Sequence, residues 1–304
     1  MSLVKPITPH LWFDTQAREA AAFYCSLFPD SRIDSVVRLH DTPSGDCDVV
    51  AFVLAGQPFM AISAGPHFAF NPSVSFMLNY DPVRDPQARA HLDAAWAKLS
   101  EGGQALMPLN EYPFSKRYGW VQDRYGLSWQ LILTDPAGEP RPFIMPALLF
   151  TGPAYGKAEE AGAFYRSVFD DSRPGQLVRR PADEGHDKAG TVLFSDFRLD
   201  RTWFIAMDSG YPHGFGFNEA VSFLVTCRDQ AEIDRYWAQL SSVPEAEQCG
   251  WCKDRYGLSW QVTPAILDEL MTSGDPALVE RVTRAFLGMK KLDVAGIEDA
   301  QQDD

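Results

Sequence analysis

Apolar and polar positions alternate over residues 7–13, which predicts a short strand ahead of Asp14. Over 16–28 the period changes: Ala20, Phe23, Tyr24, Leu27 and Phe28 fall on one face of a helix that Asp30-Ser31 ends. Three strand-like runs follow at 33–39, 49–54 and 59–63, separated by turn-forming residues at 42–45 and 55–58. The order is β-α-β-β-β. A strand at 73–80, a helix over 86–101 closed by Gly102-Gly103, and strands at 106–108, 118–122 and 127–133 repeat it. After a Pro- and Gly-rich linker at 134–142 the scheme returns. Strand 144–150 leads to helix 158–169 and strands near 176–180, 190–199 and 202–208. Strand 220–226, helix 229–241 and a closing strand at 258–263 complete it. Beyond Thr263 the pattern is helical: a short helix at 265–272, then one through about Met289, with Asp275-Pro276 as N-cap and first-turn pair. Residues 298–304 are polar and are expected to fray.

The third and fourth modules copy the first and second. Asp123-Arg124-Tyr125-Gly126-Leu127-Ser128-Trp129-Gln130 recurs without change at Asp254-Arg255-Tyr256-Gly257-Leu258-Ser259-Trp260-Gln261, and a Gly-Trp pair precedes both copies. Ile7, Pro9, Leu11 and Phe13 match Ile144, Pro146, Leu148 and Phe150. Phe23-Tyr24 matches Phe164-Tyr165, and Phe70-Asn71 with Val74-Ser75-Phe76 matches Phe217-Asn218 with Val221-Ser222-Phe223. The second copy lacks a stretch where the first carries 107–117, which reads as a lost hairpin loop. A unit this long indicates duplicated domains, not a solenoid. The expected boundaries are 1–137, 138–263 and a helical tail at 264–304.

Composition narrows the partners. A chain of 304 residues suits about two domains, and 45% apolar with 22% charged residues is ordinary for a globular protein. The net charge of −14 opposes binding to nucleic acid or an anionic membrane. No apolar run reaches membrane-spanning length, and the N-terminus lacks a signal-peptide core. Five scattered cysteines do not form a disulfide framework. A reduced, cytoplasmic protein is expected.

Several residues could carry chemistry. His67 and His213 occupy the same loop in the two copies, each after a proline, where an imidazole could serve as a base or touch a ligand. The structural alternative is a loop cap. Glu111 lies in the segment that the second copy lacks, as a second candidate base or a solvated residue. His10 has no counterpart in the other copy, where Ala147 stands, and is expected to be structural or on the surface. Cys249 and Cys252 have redox-motif spacing but sit on a strand, away from the helix N-terminus that would lower a thiol pKa. Asp123 to Gly126, and its copy, read as a tight turn, and Trp129 and Trp260 as filling between sheet and helix. No G-x-G turn joins a predicted strand to a helix, and the β-α-β-β-β order does not build a doubly wound sheet for a nucleotide-type cofactor.

Four such modules resemble the vicinal oxygen chelate superfamily of glyoxalases, extradiol dioxygenases and antibiotic-resistance proteins. Ile7-Thr8-Pro9, Leu11-Trp12-Phe13-Asp14, Gly65-Pro66-His67-Phe68, Asn218 to Phe223, Met107-Pro108-Leu109 and Met289-Lys290-Lys291-Leu292-Asp293 are similar to its PhnB-like branch, labelled 3-demethylubiquinone-9 3-methyltransferase-like. The resemblance implies an α+β fold of tandem glyoxalase-like domains, each of two modules forming a cup, with a C-terminal helical extension. It also implies metal ligands on the first and last strands of the modules. Those positions fall at about Pro9 and Pro146, at Ser73 or Ser75 and Ser222, at 61–63, and at Gln130 and Gln261. Only the glutamines offer a donor, too few for Zn²⁺, Fe²⁺ or Ni²⁺. The expectation is therefore a metal-independent protein without a cofactor. It would bind a small hydrophobic or aromatic molecule, with Gln130, Gln261, His67 and His213 as polar anchors and the two domains packed as an internal pseudo-dimer. Further self-association is left open. The alternative is an enzyme of the same superfamily, a lyase, isomerase or transferase using His67 or Glu111 as base.

Overall fold

The structure, a computed structural model, describes residues 6–302. The expectations for the N-terminal 1–5 and for Asp303-Asp304 lie outside the described residues. The first module comprises β1 (Thr8–Phe13), α1 (Ala17–Leu27), β2 (Arg32–Thr42), β3 (Gly45–Leu54) and β4 (Gln57–Ser63). The second comprises β5 (Val74–Tyr80), α2 (Ala88–Ser100), β6 (Gln104–Tyr112), β7 (Ser115–Gln122) and β8 (Ser128–Leu133). The third comprises β9 (Ile144–Phe150), α3 (Ala158–Val168), β10 (Arg173–Arg179), β11 (Val192–Leu199) and β12 (Thr202–Asp208). The fourth is shorter: β13 (Val221–Cys227), α4 (Gln230–Leu240), β14 (Trp251–Lys253) and β15 (Ser259–Pro264). The tail forms α5 (Ala265–Met271), α6 (Pro276–Leu287) and α7 (Val294–Gln302). No helix among the described residues is long and apolar enough to cross a membrane.

The helices follow from local chemistry. α1 buries Ala17, Ala20, Ala21 and Tyr24, an i, i+3, i+4, i+7 stripe whose small residues let the helix lie close to its sheet. Asp229 caps α4 by accepting from the Glu232 amide, and Asp275 caps α6 by accepting from Ala277 and Leu278. α7 corrects the expected frayed end: Ile297 is fully buried in a cluster with Leu270, Val282 and Leu292, and this apolar contact holds the polar segment in a helix.

The strands form two sheets, and each draws on both sequence repeats. The first runs β14-β15-β13-β1-β4-β3-β2; the second runs β10-β11-β12-β9-β5-β8-β7-β6. At their centres β1 lies antiparallel to β13, and β5 antiparallel to β9. The compact units are accordingly Met1–Ala69 with Phe217–Asp304, and Phe70–Gly216. They do not follow the expected 1–137, 138–263 and 264–304 segments. The linker supplies the reason. Asn79 on β5 donates its backbone amide to the Phe143 carbonyl and its side-chain amide to the Pro142 carbonyl, while Thr134 N–H bonds to the Tyr80 carbonyl. The short connection from β8 thus lays β9 directly along β5.

Within a module the first and last strands run parallel, as β1 with β4 and β13 with β15, so the intervening helix must cross one face of the sheet. The other face is left as the wall of a cup.

Candidate functional site

Strand parity decides which side chains enter the first unit's cup. On β1, Leu11 and Phe13 are buried, while His10 and Trp12 line a cavity of about 940 Å³. Opposite them stand Met60 and Ile62 of β4, Leu224 and Thr226 of β13, and Gln261 and Thr263 of β15, with Trp251 of β14. This corrects the expectation that Pro9 holds the inward position. His10 pairs in register with Met60 on one side and Ser222 on the other, so the proline faces away. It also removes the surface alternative for His10 and leaves the structural one. The imidazole is 4% exposed, lies edge-on to Trp251 at 5.5 Å, and its Nδ1 has no hydrogen-bond partner. Burial lowers its pKa to about 4, so it is neutral at pH 7.

An aromatic group builds the wall beside it. Trp12 meets Trp251 at 6.0 Å and Phe68 at 5.0 Å, and its indole N–H is fixed to the Gly65 carbonyl at 2.8 Å. Leu267 and Met271 of α5, and Phe286 and Leu287 of α6, line the remaining side. The tail holds this place through main-chain bonds, Cys249 N–H to the Met289 carbonyl at 2.8 Å and Gly250 N–H to the Lys290 carbonyl at 2.7 Å. Among the described residues the fourth module has no hairpin matching β6 and the full β7.

The two repeated glutamines differ in their surroundings. Both side-chain amides donate to a serine on the neighbouring strand, Gln130 to Ser75 at 2.8 Å and Gln261 to Ser222 at 2.9 Å. That common bond explains why glutamine recurs. In the second unit, however, the Tyr118 hydroxyl donates to Gln130 Oε1 at 2.7 Å. Met77, Tyr118, Met145, Ala147, Trp203 and Ile205 pack together there, with Met107, Tyr112 and Trp120 against them. Cys249 stands at the position of Tyr118, so Gln261 meets no phenol and lines open space instead.

The other sequence candidates are dispersed. His67 lies exposed in the Gly65–Phe68 turn, 6.3 Å from Trp12, and it is Phe68 that lines the cavity. His213 belongs to the second unit, where it bonds to Ser209 Oγ at 2.7 Å and stacks on Phe215 at 5.0 Å. Glu111 is exposed on β6 of that same unit, in a strand and not in a loop. The Cys249/Cys252 pair is no redox motif, since burial raises both thiol pKa values. Sequence reasoning missed His10, Trp12, Trp251 and the tail residues. Placing Leu11 and Phe13 on the helix side would have recovered His10 and Trp12.

The donor set does not fit the superfamily metal. Around His10 the register sets Met60 and Ser222, with Gln261 tied to that serine through its nitrogen. One imidazole and one neutral amide fall short of the about three protein ligands that an open transition-metal site needs.

The profile of a family described as 3-demethylubiquinone-9 3-methyltransferase matches twice, at residues 5–132 and 142–263. A putative 3-demethylubiquinone-9 3-methyltransferase, PhnB protein, from Bacillus cereus is 38% identical over 42% of this chain and 98% of its own, with a TM-score of 0.38. Glyoxalase I from Zea mays aligns over 87% of this chain and 93% of its own at 12% identity, with a TM-score of 0.51, which is a likeness of fold alone. A putative dioxygenase from Bacillus subtilis covers 86% of each chain at 13% identity and a TM-score of 0.45. No curated protein matches the chain. With the profile spanning both repeats and two cup-forming sheets beneath it, the chain belongs to the PhnB-like family described as 3-demethylubiquinone-9 3-methyltransferase, in a tandem form of the vicinal oxygen chelate fold.

Proposed function

We propose that the protein binds a small, largely apolar molecule in the cup of its first unit, without a metal and without turnover. The observation that carries this reading is the cavity of about 940 Å³ that holds a buried, neutral His10 with an unpartnered Nδ1. Its size lies in the range of small-molecule pockets, which pair apolar walls with a few placed polar groups. Trp12, Trp251 and Phe68 supply flat contact surface, and Gln261 the second polar anchor. The anchors are thus His10 and Gln261, in place of the dispersed set of Gln130, His67 and His213.

Methyl transfer, the activity in the family's description, gains no support from the residues of this cup. His67 lies outside the lining, Glu111 is in the other unit, and burial keeps His10 neutral at neutral pH. A cytoplasmic setting, where thiols stay reduced, suits the five free cysteines.

Mass analysis of small molecules released from the purified protein tests this reading. A stoichiometric organic guest is expected, retained by Gln130→Leu and lost or weakened about tenfold by His10→Phe, as expected for removal of one buried hydrogen bond. A stoichiometric transition metal, or guest retention unaffected by His10→Phe, contradicts it.

A further inference from the structure

The second unit shows what the repeated glutamine accepts when its surroundings are filled. The Tyr118 hydroxyl donates to Gln130 Oε1 at 2.7 Å while Gln130 Nε2 donates to Ser75, so both ends of the amide are bonded and the residue is 1% exposed. The ring that brings this hydroxyl stands edge-on to Tyr112 at 5.6 Å and to Phe114 at 5.0 Å, and it packs with Met77 and Ile205.

The first unit keeps the acceptor and lacks the donor. Trp251 pairs with Gln261 as Trp120 pairs with Gln130, which puts Cys249 where Tyr118 stands. Gln261 Nε2 makes the same bond, to Ser222, but Oε1 accepts nothing among the described residues and is not enclosed as the unpaired His10 Nδ1 is. Gln261 keeps 6% of its surface and lines the cavity together with Cys249. Leu224 and Met60, which stand in register where Met77 and Ile205 stand in the other unit, line it too. A guest without a donor would cut Oε1 off from water and leave it unpaired, which costs the desolvation of a buried acceptor. A guest with a hydroxyl on a flat ring makes the bond that Tyr118 makes.

We infer that the guest is a neutral phenol with an apolar substituent across the ring, whose hydroxyl donates to Gln261 Oε1 where the first unit has no tyrosine to do so. The inference rests on the binding reading above. A phenol with an ordinary pKa of about 10 keeps its proton at neutral pH and can donate it.

Equilibrium dialysis of the full chain with 4-phenylphenol, 4-fluorobiphenyl and 4-methoxybiphenyl tests it. The three share one body, and only the phenol carries a donor. It is expected to bind about tenfold more tightly than either analogue, as one hydrogen bond to an otherwise unpaired acceptor supplies. Gln261→Met should bring the phenol to within about twofold of 4-fluorobiphenyl while leaving the affinity of the fluoro compound unchanged, which also shows that the variant is folded. Cys249→Tyr, which offers Gln261 a hydroxyl from the chain itself, should remove the same preference. Equal or tighter binding of either analogue by the wild type overturns the phenol inference and leaves the binding reading standing. A preference for the phenol that survives in both variants overturns its assignment to Gln261. Failure of all three probes to bind overturns the binding reading, and this inference with it.

Discussion

Asp123 and Asp254 account for most of the repeated octapeptide. Each carboxylate is buried and accepts from three donors at once: the amides of Tyr125 and Leu127 with the indole of Trp129, and the amides of Tyr256 and Leu258 with the indole of Trp260. Gly126 and Gly257 close the turns at φ +86° and +89°, a conformation that penalises any side chain. Asp123→Ala and Asp254→Ala should each cost about 3–5 kcal/mol in urea unfolding, because three buried donors lose their acceptor. A loss below about 1 kcal/mol would contradict this account. The glutamine that ends the segment is where one residue has two fates. Gln130→Leu leaves the Ser75 and Tyr118 hydroxyls unpaired and should destabilise the protein by about 1–3 kcal/mol without changing guest affinity. Gln261→Leu should weaken the guest. His10 adds a pH dependence. Its pKa falls from 6.5 in the unfolded chain to about 4 in the fold, so protonation favours unfolding. The stability it contributes is complete above pH 6.5 and is lost as the pH falls from there through 4. The loss amounts to roughly 3 kcal/mol at about 1.4 kcal/mol per pKa unit. Subtracting the profile of His10→Phe from the wild type isolates this slope, and identical profiles would rule it out.

At the element scale most of the fold was legible in the residues. Strand 144–150 and strand 202–208 were anticipated with the boundaries now observed, because Pro, Gly and Asp punctuate them sharply. Strand β6 extends well past the expected 106–108, because pairing with β7 through several register shifts orders residues with no clean alternation. The three-residue β14 was too short to leave a period. The site was less legible than the fold. The repeat does not single out His10, because its counterpart is Ala147. The role of α5–α7 depends on long-range packing that no local pattern encodes: Met271, Val279 and Phe286 pack against Leu39, Cys47 and Ala64. Ile297→Asp should release this tail by burying an unpaired charge in its core. The Cys249 thiol, bonded to the Leu287 carbonyl at 3.5 Å, would then alkylate about tenfold faster, as expected for a thiol freed from burial. Cys25 serves as the internal comparison, and an unchanged ratio of the two rates would argue that the tail is not held this way.

At the scale of the whole chain, duplication and folding follow different boundaries. The sequence repeats end to end, whereas each sheet takes one module from either repeat. The fourth module's lost hairpin therefore affects only the cup that it shares with the first module. The cup of the second and third modules keeps its hairpin, and Tyr112, Tyr118 and Trp120 from it pack into the interior. The two cups share descent and differ in the hairpin and in the Tyr118 hydroxyl on Gln130, whose counterpart beside Gln261 is Cys249. A crystal structure of the full chain equilibrated with small aromatic molecules tests this division most directly. The account predicts a guest in the first unit's cup, against Trp12 and Trp251 and within hydrogen-bond reach of His10 or Gln261. A guest seated beside Gln130 in the second unit, a transition metal held by His10 and Gln261, or a first cup that accepts no molecule would contradict it.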